Sequence, residues 1–355
     1  MRDVLDSWPV FDGHNDLPYR VRQIDENAPA VDIGRLAATH TDLERLAAGG
    51  VGAQWWSVWV PADQPEEMAL RQVLEQVDLV HRWVARQPDR MVLCTSAAEV
   101  ERAHASGRLA SLLGAEGGHS IASSLGALRM LAALGVRYMT LTHNFSTAWA
   151  DSATDAPRVG GLSDFGREVV AEMERLGVLV DLSHVAPSTM HDALDVATRP
   201  LVFSHSSARA VCDHVRNVPD DVLARLTGNG GVCMVTFVAG FVSDEVRLWE
   251  LEVEAAAEEQ GVGAEGLAAF ALTRGPRPVA TVQQVADHVE HVRAVAGIDH
   301  VGLGGDYDGC PVLVDGMGDV TGYPVLLEEL RSRGWPAKDL GRLTWRNALR
   351  VLAGG

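Results

Sequence analysis

Eight short apolar runs, most of them closed by a polar or ionisable residue, constrain this chain more than any other feature. They cover residues 8–11, 51–60, 109–115, 136–142, 178–182, 200–203, 231–237 and 300–303. Helical patterns lie between most of them. Leu162, Phe165, Val169, Val170 and Met173 recur at helical spacing, with Ser163 or Asp164 placed to cap. Residues 187–197 open on a proline near the first turn. Val282, Val285, Val289, Val292 and Val295 repeat at threes and fours. The runs are too apolar for strands with one wet face, so they predict a parallel sheet covered by helices. Eight such units in 355 residues favour one (β/α)8 barrel spanning 1–355 over an open sheet. The irregular stretch is 243–278, acidic and alanine-rich (Glu250, Glu252, Glu254, Glu258, Glu259). It reads as a solvated helical insertion, with a lid over the barrel mouth as the alternative, because βα loops form the active face of such barrels.

Functional side chains in these barrels gather where strands end. The first run leads into Phe11-Asp12-Gly13-His14-Asn15-Asp16. Residues two apart on a strand share a face, so His14 and Asp16 are expected to point together. The third run ends at Glu116, the fourth at His143, the fifth at His184 and the sixth at His205. The eighth ends in Gly304-Gly305-Asp306-Tyr307-Asp308-Gly309. Each alone is equally a cap, a turn or a hydrogen-bonded core residue. Their repetition at one structural position reads as a metal site. His14, Asp16, His184 and His205 supply four ligands, and Glu116 has two oxygens with which to bridge. That set suits two metals holding a shared water or hydroxide as nucleophile. Nitrogen-rich ligation without thiolate points to two Zn2+, with Mn2+ or Co2+ as substitutes.

Composition narrows the chemistry further. Lys338 is the sole lysine, which disfavours a Schiff base or a carbamylated-lysine bridge. A net charge of −18 disfavours nucleic acid and anionic membrane as partners. Cys94, Cys212, Cys233 and Cys310 are scattered without a C-x-x-C, as expected of buried thiols in a reducing compartment. No apolar run approaches the ~20 residues of a membrane span. No secretory signal or lipid-anchor pattern is visible, so a cytoplasmic location is expected.

The chain resembles the membrane (renal) dipeptidase family of the metal-dependent amidohydrolase barrels. The matching stretches begin with Asp12-Gly13-His14-Asn15-Asp16-Leu17-Pro18, Glu116-Gly117-Gly118-His119-Ser120 and Leu141-Thr142-His143-Asn144. They continue with Gly161-Leu162-Ser163-Asp164-Phe165-Gly166, Arg175-Leu176-Gly177-Val178-Leu179-Val180-Asp181-Leu182-Ser183-His184 and Ser204-His205-Ser206-Ser207-Ala208. Arg216-Asn217-Val218-Pro219-Asp220-Asp221 and the Asp306 motif complete the series, in order along nearly the whole chain. The resemblance implies one zinc on His14, Asp16 and Glu116, and another on Glu116, His184 and His205. It implies substrate binding by His143 and Arg216, and an acidic proton shuttle mapped to Asp306, with Asp308 as fallback.

These roles are chemically coherent. Arg216 offers a fork for the free carboxylate of a dipeptide, and His143 a donor to the developing oxyanion. The alternative for Arg216 is a loop-holding ion pair with Asp213 or Asp220. The expected reaction is hydrolysis of the single amide of a dipeptide, including those with a D-residue at the C-terminal position. Hydrolysis of a lactone, cyclic amide or N-acyl amino acid is the rival reading, and a non-catalytic metal binder is a third. Homodimers are plausible for the family. In Met234-Val235-Thr236-Phe237-Val238 this chain departs from the family's usual Asn-Phe-Tyr after the valine, which bears on side-chain preference. The remaining histidines read as structural or surface, His119 least clearly.

Overall fold

The computed structural model describes residues 1–25 and 28–354. Its strands are β1 (Val10–Asn15), β2 (Val51–Ser57), β3 (Met91–Leu93), β4 (Leu109–Ala115), β5 (Val136–Thr140), β6 (Leu179–Asp181), β7 (Val202–Phe203), β8 (Val232–Val235) and β9 (Val301–Leu303). Every strand pairing is parallel. Eight strands form the ring β1-β2-β4-β5-β6-β7-β8-β9, closed by the β1–β9 and β2–β4 pairings. These are the eight apolar runs. The ninth, β3, pairs only with the first half of β4 and stands outside the ring. Its three residues, Met91-Val92-Leu93, are apolar but are not among the eight runs.

Alternation along the strands sorts the core into two layers. Phe11, Trp55, Leu112, Tyr138, Val202 and Met234 face inward and pack with Trp345 and Leu349 of the C-terminal helical segment. Phe11 stacks on Trp55 with ring centroids 4.7 Å apart. Their neighbours Val10, Trp56, Leu113, Met139, Phe203 and Val235 face outward under the helices. The helices start where capping chemistry directs. Ser163 accepts from the Gly166 N–H at the head of the helix Asp164–Leu176, and Thr281 with Gln284 forms a capping box before Val282–Ala296. The 243–278 stretch is helical, as Asp244–Glu259 and Ala264–Ala271. Among the described residues no helix is long and apolar enough to cross a membrane.

Candidate active site

At the C-terminal ends of the strands the inward positions change from apolar to ionisable, and five elements converge on Glu116. Its side chain leaves the top of β4, where Ser57 at the end of β2 donates to Oε2 at 3.0 Å. His14 Nε2 lies 3.3 Å from Oε2. His184 Nε2 and His205 Nε2 lie 3.0 and 3.5 Å from Oε1, and His143 Nε2 lies 3.7 Å from it. Asp16 Oδ2 is 3.1 Å from His14 Nε2. Asp306 joins His14 and Asp16, with one donor atom from each lying within 4.8 Å of the others. The structure therefore brings together His14, Asp16, Glu116, His143, His184, His205 and Asp306.

His14 and Asp16 meet by a route other than simple alternation. The pairing of β1 is irregular between Asp12 and Asn15, and Asp16 lies beyond the strand as the N-cap of the helix Leu17–Ile24. The convergence comes from a distorted strand exit, where one residue can be re-aimed. Three other side chains leave from left-handed backbone: His184 at φ 70°, Asp306 at φ 59° and Asp308 at φ 66°. Non-glycine residues there cost of order 1–3 kcal/mol each, and such strain clusters at functional sites. Gly309 is required for space, since a Cβ there would sit 2.3 Å from both Asp16 Oδ2 and Asp306 Oδ1.

The electrostatics divide the site. Burial opposes charge on His14, but the Tyr138 phenol, Glu116 and Asp16 outweigh it and hold its pKa well above the usual value. His184 and His205 go the other way: burial, reinforced by neighbouring imidazoles and Arg216, pushes both well below theirs. Burial also raises Asp306 well above the usual carboxylate range, Asp16 and Glu116 adding to it and His14 opposing. His184 Nε2 and His205 Nε2 face each other at 2.9 Å. Asp16 Oδ1 and His184 Nδ1 are buried without a hydrogen-bond partner. Inward-facing lone pairs, an orphaned carboxylate oxygen and a central two-oxygen acid are what divalent cations need, so the donor set fits the metal the sequence implied.

Asp306 and Asp308 separate cleanly. Asp306 faces the cluster, whereas Asp308 Oδ1 accepts the backbone N–H of His40 at 2.7 Å. His119 stands apart, its Nε2 3.0 Å from the Val60 carbonyl. Arg216 is buried, 3% exposed. No carboxylate pairs with it among the described residues, and Asp220 instead faces His291 at 2.8 Å. Its nearest acceptors, Ser206 Oγ and the His205 carbonyl, are at 3.5 Å, and its Nε has no partner. The guanidinium lies 5.5 Å from the Phe241 ring centroid. Burial pushes Arg216 down to about 10, against the pull of Asp306 and Glu116, so it stays charged at neutral pH.

A cleft of about 720 Å³ opens above these groups, lined also by Tyr19, Gln23, Trp59, Phe145, His214 and Val238. That volume suits a small molecule. None of its lining residues comes from 243–278, while Val238, at the position where the sequence departs, does line it. Thr236 is buried below, its hydroxyl unpartnered. Several supporting residues escaped the sequence reading. Ser57 holds Glu116, Tyr138 Oη lies 2.8 Å from His14 Nδ1, and Ser204 lies between Asp181 and His205. Hydroxyls carry no periodic signal. Only their place one step from a ligand or strand end distinguishes them.

Comparison with known proteins follows the same lines. The family described as Membrane dipeptidase (Peptidase family M19) matches residues 1–354. Dipeptidase 3 of Homo sapiens is 41% identical over 354 residues, covering 98% of this chain and 65% of the human protein. Dipeptidase 3 of Mus musculus is 40% identical, covering 98% of this chain and 64% of the mouse protein. The chain thus spans just under two thirds of the length of these relatives. A crystal structure of a metallo peptidase from Rhodobacter sphaeroides, liganded with a phosphinate mimic of the dipeptide L-Ala-D-Ala, is similar with TM-score 0.83 and 26% identity. It covers 98% of this chain and 99% of that one.

Proposed function

Because this chain belongs to the membrane dipeptidase family, we propose that it hydrolyses the amide bond of dipeptides at a two-zinc centre. The observation that carries the reading is the buried Arg216, without a carboxylate partner, beside a seven-residue cluster of ionisable side chains in one small cleft. A metal cluster alone fits any amidohydrolase. A desolvated guanidinium with only two long neutral hydrogen bonds and no internal carboxylate calls for an anion from outside, and a free α-carboxylate is its bidentate match. His14, Asp16 and Glu116 would hold one ion, and Glu116, His184 and His205 the other. When bound, the ions supply Lewis acidity and lower the pKa of water.

The chain's own residues do the rest. Arg216 fixes the carboxylate and so places the scissile amide one residue away, over the cluster. His143 is at the rim of the cluster, with its side chain 14% exposed, and donates to the carbonyl oxygen as it gains charge. Asp306 takes a proton from the attacking water and returns it to the leaving amine. The L-Ala-D-Ala mimic bound by the Rhodobacter sphaeroides peptidase supports including a D-residue at the C-terminal position.

The test is metal analysis with turnover. Protein reloaded with zinc should retain close to two equivalents and hydrolyse L-Ala-L-Ala or L-Ala-D-Ala, and chelation should abolish turnover. Full metal loading with no hydrolysis of a dipeptide library would overturn the proposal.

A further inference from the structure

We propose that Asp181 is a positioning residue that sets the tautomer of His205 through the Ser204 hydroxyl, and thereby makes His205 able to ligate a metal. This rests on reading His205 as a ligand. Asp181 closes β6 and Ser204 follows β7, and Asp181, Ser204 and His205 are all buried. Asp181 Oδ1 accepts the N–H groups of Ser183 at 3.0 Å and Ser204 at 2.9 Å. Its Oδ2 accepts the Ser204 hydroxyl at 2.5 Å. The same hydroxyl oxygen is 2.8 Å from His205 Nδ1.

Counting protons along this chain fixes its direction. A serine hydroxyl has one hydrogen and two lone pairs. Burial works against charge on Asp181, and the two backbone N–H groups and the Ser204 hydroxyl work for it. As a carboxylate it offers no proton, so the hydrogen of the hydroxyl goes to Asp181. Its other neighbouring acceptor, Ser183 Oγ, is farther away at 3.5 Å. Ser204 then faces His205 Nδ1 with a lone pair, and Nδ1 must carry the ring proton. Nε2 keeps its lone pair free, and Nε2 is the atom directed at Glu116 and His184. The partner of one histidine nitrogen decides what the other can do. The other two ligand imidazoles lack such a constraint. His14 Nδ1 faces the Tyr138 phenol, which can donate or accept, and His184 Nδ1 has no partner.

An isosteric change should therefore reverse the chain without altering its shape. In Asp181→Asn the amide oxygen stays with the two backbone N–H groups, which need an acceptor. The amide NH2 then faces Ser204 and donates to it. The hydroxyl hydrogen must turn to His205 Nδ1, and the ring proton moves to Nε2, where it blocks ligation. Ser204→Ala removes the relay without reversing it. The double variant Asp181→Asn/Ser204→Ala has no hydroxyl to reverse.

Ring 15N–1H correlation spectra of the chelator-treated protein, with His205→Gln to assign the signal, read the tautomer. Competition with a chromogenic chelator reads zinc affinity and stoichiometry. Wild type should show His205 protonated on Nδ1 and Asp181→Asn on Nε2. Asp181→Asn should bind one of the two zinc equivalents roughly 10- to 100-fold more weakly. The double variant should bind better than Asp181→Asn, close to Ser204→Ala. A merely structural role predicts the reverse, with the double variant the worst. Wild-type His205 protonated on Nε2 overturns the proposal before any variant is made. So does an Asp181→Asn protein with unchanged tautomer, the result if Asp181 were a neutral acid donating to Ser204. If the tautomers behave as expected but wild type binds no zinc, the hydrogen-bond relay stands, while its role in metal ligation and the dipeptidase reading fall.

Discussion

The two sides of the cluster are built from the same residue types and have opposite character. On the β1 and β9 side, His14 lies among Asp16, Glu116 and Asp306, and its pKa is pushed well above the ordinary value. On the β5 to β7 side, His143, His184 and His205 crowd together with Arg216, and burial holds each well below it. His143 and His184 ring centroids are 4.2 Å apart, and those of His184 and His205 are 5.0 Å apart. Burial thus sets the preference of a histidine after an apolar strand, and only where acidic and phenolic neighbours gather, as at His14, is it overturned. Glu116 is the seam, with Oε2 toward His14 and Oε1 toward His184 and His205. One side gathers carboxylates and the other imidazole nitrogens, and both are donor types that divalent cations take.

The largest effects should come from breaking the seam. Glu116→Gln removes the one acid that both sides share, so both metals should weaken. Turnover should fall by about 10⁴-fold or more, as when a cooperating catalytic unit loses a member. Asp16→Ala or His14→Ala should instead weaken one metal and leave the pair on β6 and β7 able to hold the other. Metal stoichiometry after gel filtration separates these outcomes. Full retention of both ions in Asp16→Ala would mean the two sides are not separate sites.

Asp306→Asn probes the carboxylate side without removing a proposed ligand. It keeps the shape and loses the proton exchange, so kcat should drop about 10²- to 10⁴-fold with KM little changed. Asp308→Asn is the matched control, because that carboxylate is tied to the His40 backbone. Equal losses of kcat in the two variants would reassign the shuttle.

Arg216→Met tests the imidazole side. Loss of a buried bidentate clamp should lower kcat/KM for dipeptides by about 30- to 10³-fold, corresponding to roughly 2–4 kcal/mol. An ester or amide that lacks a free carboxylate should be turned over as before, or better. An equal loss on both substrate types would make Arg216 a structural residue.

How much of this was legible in the sequence follows the same division. The barrel and the ligand positions were, because both rest on repetition: eight apolar runs and a chemically special residue at the same end of most. Even β7, only two residues long, was marked by the apolar stretch ending at Phe203. Asp306 and Asp308 were not separable, since both lie in one motif on left-handed backbone, and only their partners, the His40 N–H for Asp308 and the His14 and Asp16 side for Asp306, tell them apart. Nor was the lack of a carboxylate beside Arg216, because a missing partner is a property of three dimensions. The hydroxyl supports were invisible for the reason that makes them useful: serine and tyrosine take their roles from a contact, not from a period.

The smallest effect is expected at His288, a histidine as buried as those of the cluster but outside it. Its Nδ1 accepts the Ala208 N–H at 3.1 Å, and its Nε2 faces the Val242 carbonyl at 3.1 Å. Burial lowers its pKa to about 4, the Val242 carbonyl and Asp287 opposing. A histidine whose folded pKa is depressed stabilises the fold most above its unfolded value near 6.5, and that contribution is lost as pH falls toward 4. Integrated over that window, the loss is at most roughly 3 kcal/mol. His288→Gln cannot titrate, so urea melts from pH 7 to pH 4 should show a shallower decline in stability than wild type. Metal content and KM at neutral pH should be unchanged. What separates His288 from His184 and His205 is then not burial but satisfaction: both its nitrogens have backbone partners, and neither is left for a ligand. Parallel pH profiles for wild type and His288→Gln would show that burial at this position costs the imidazolium little, and would weaken the same argument for the cluster.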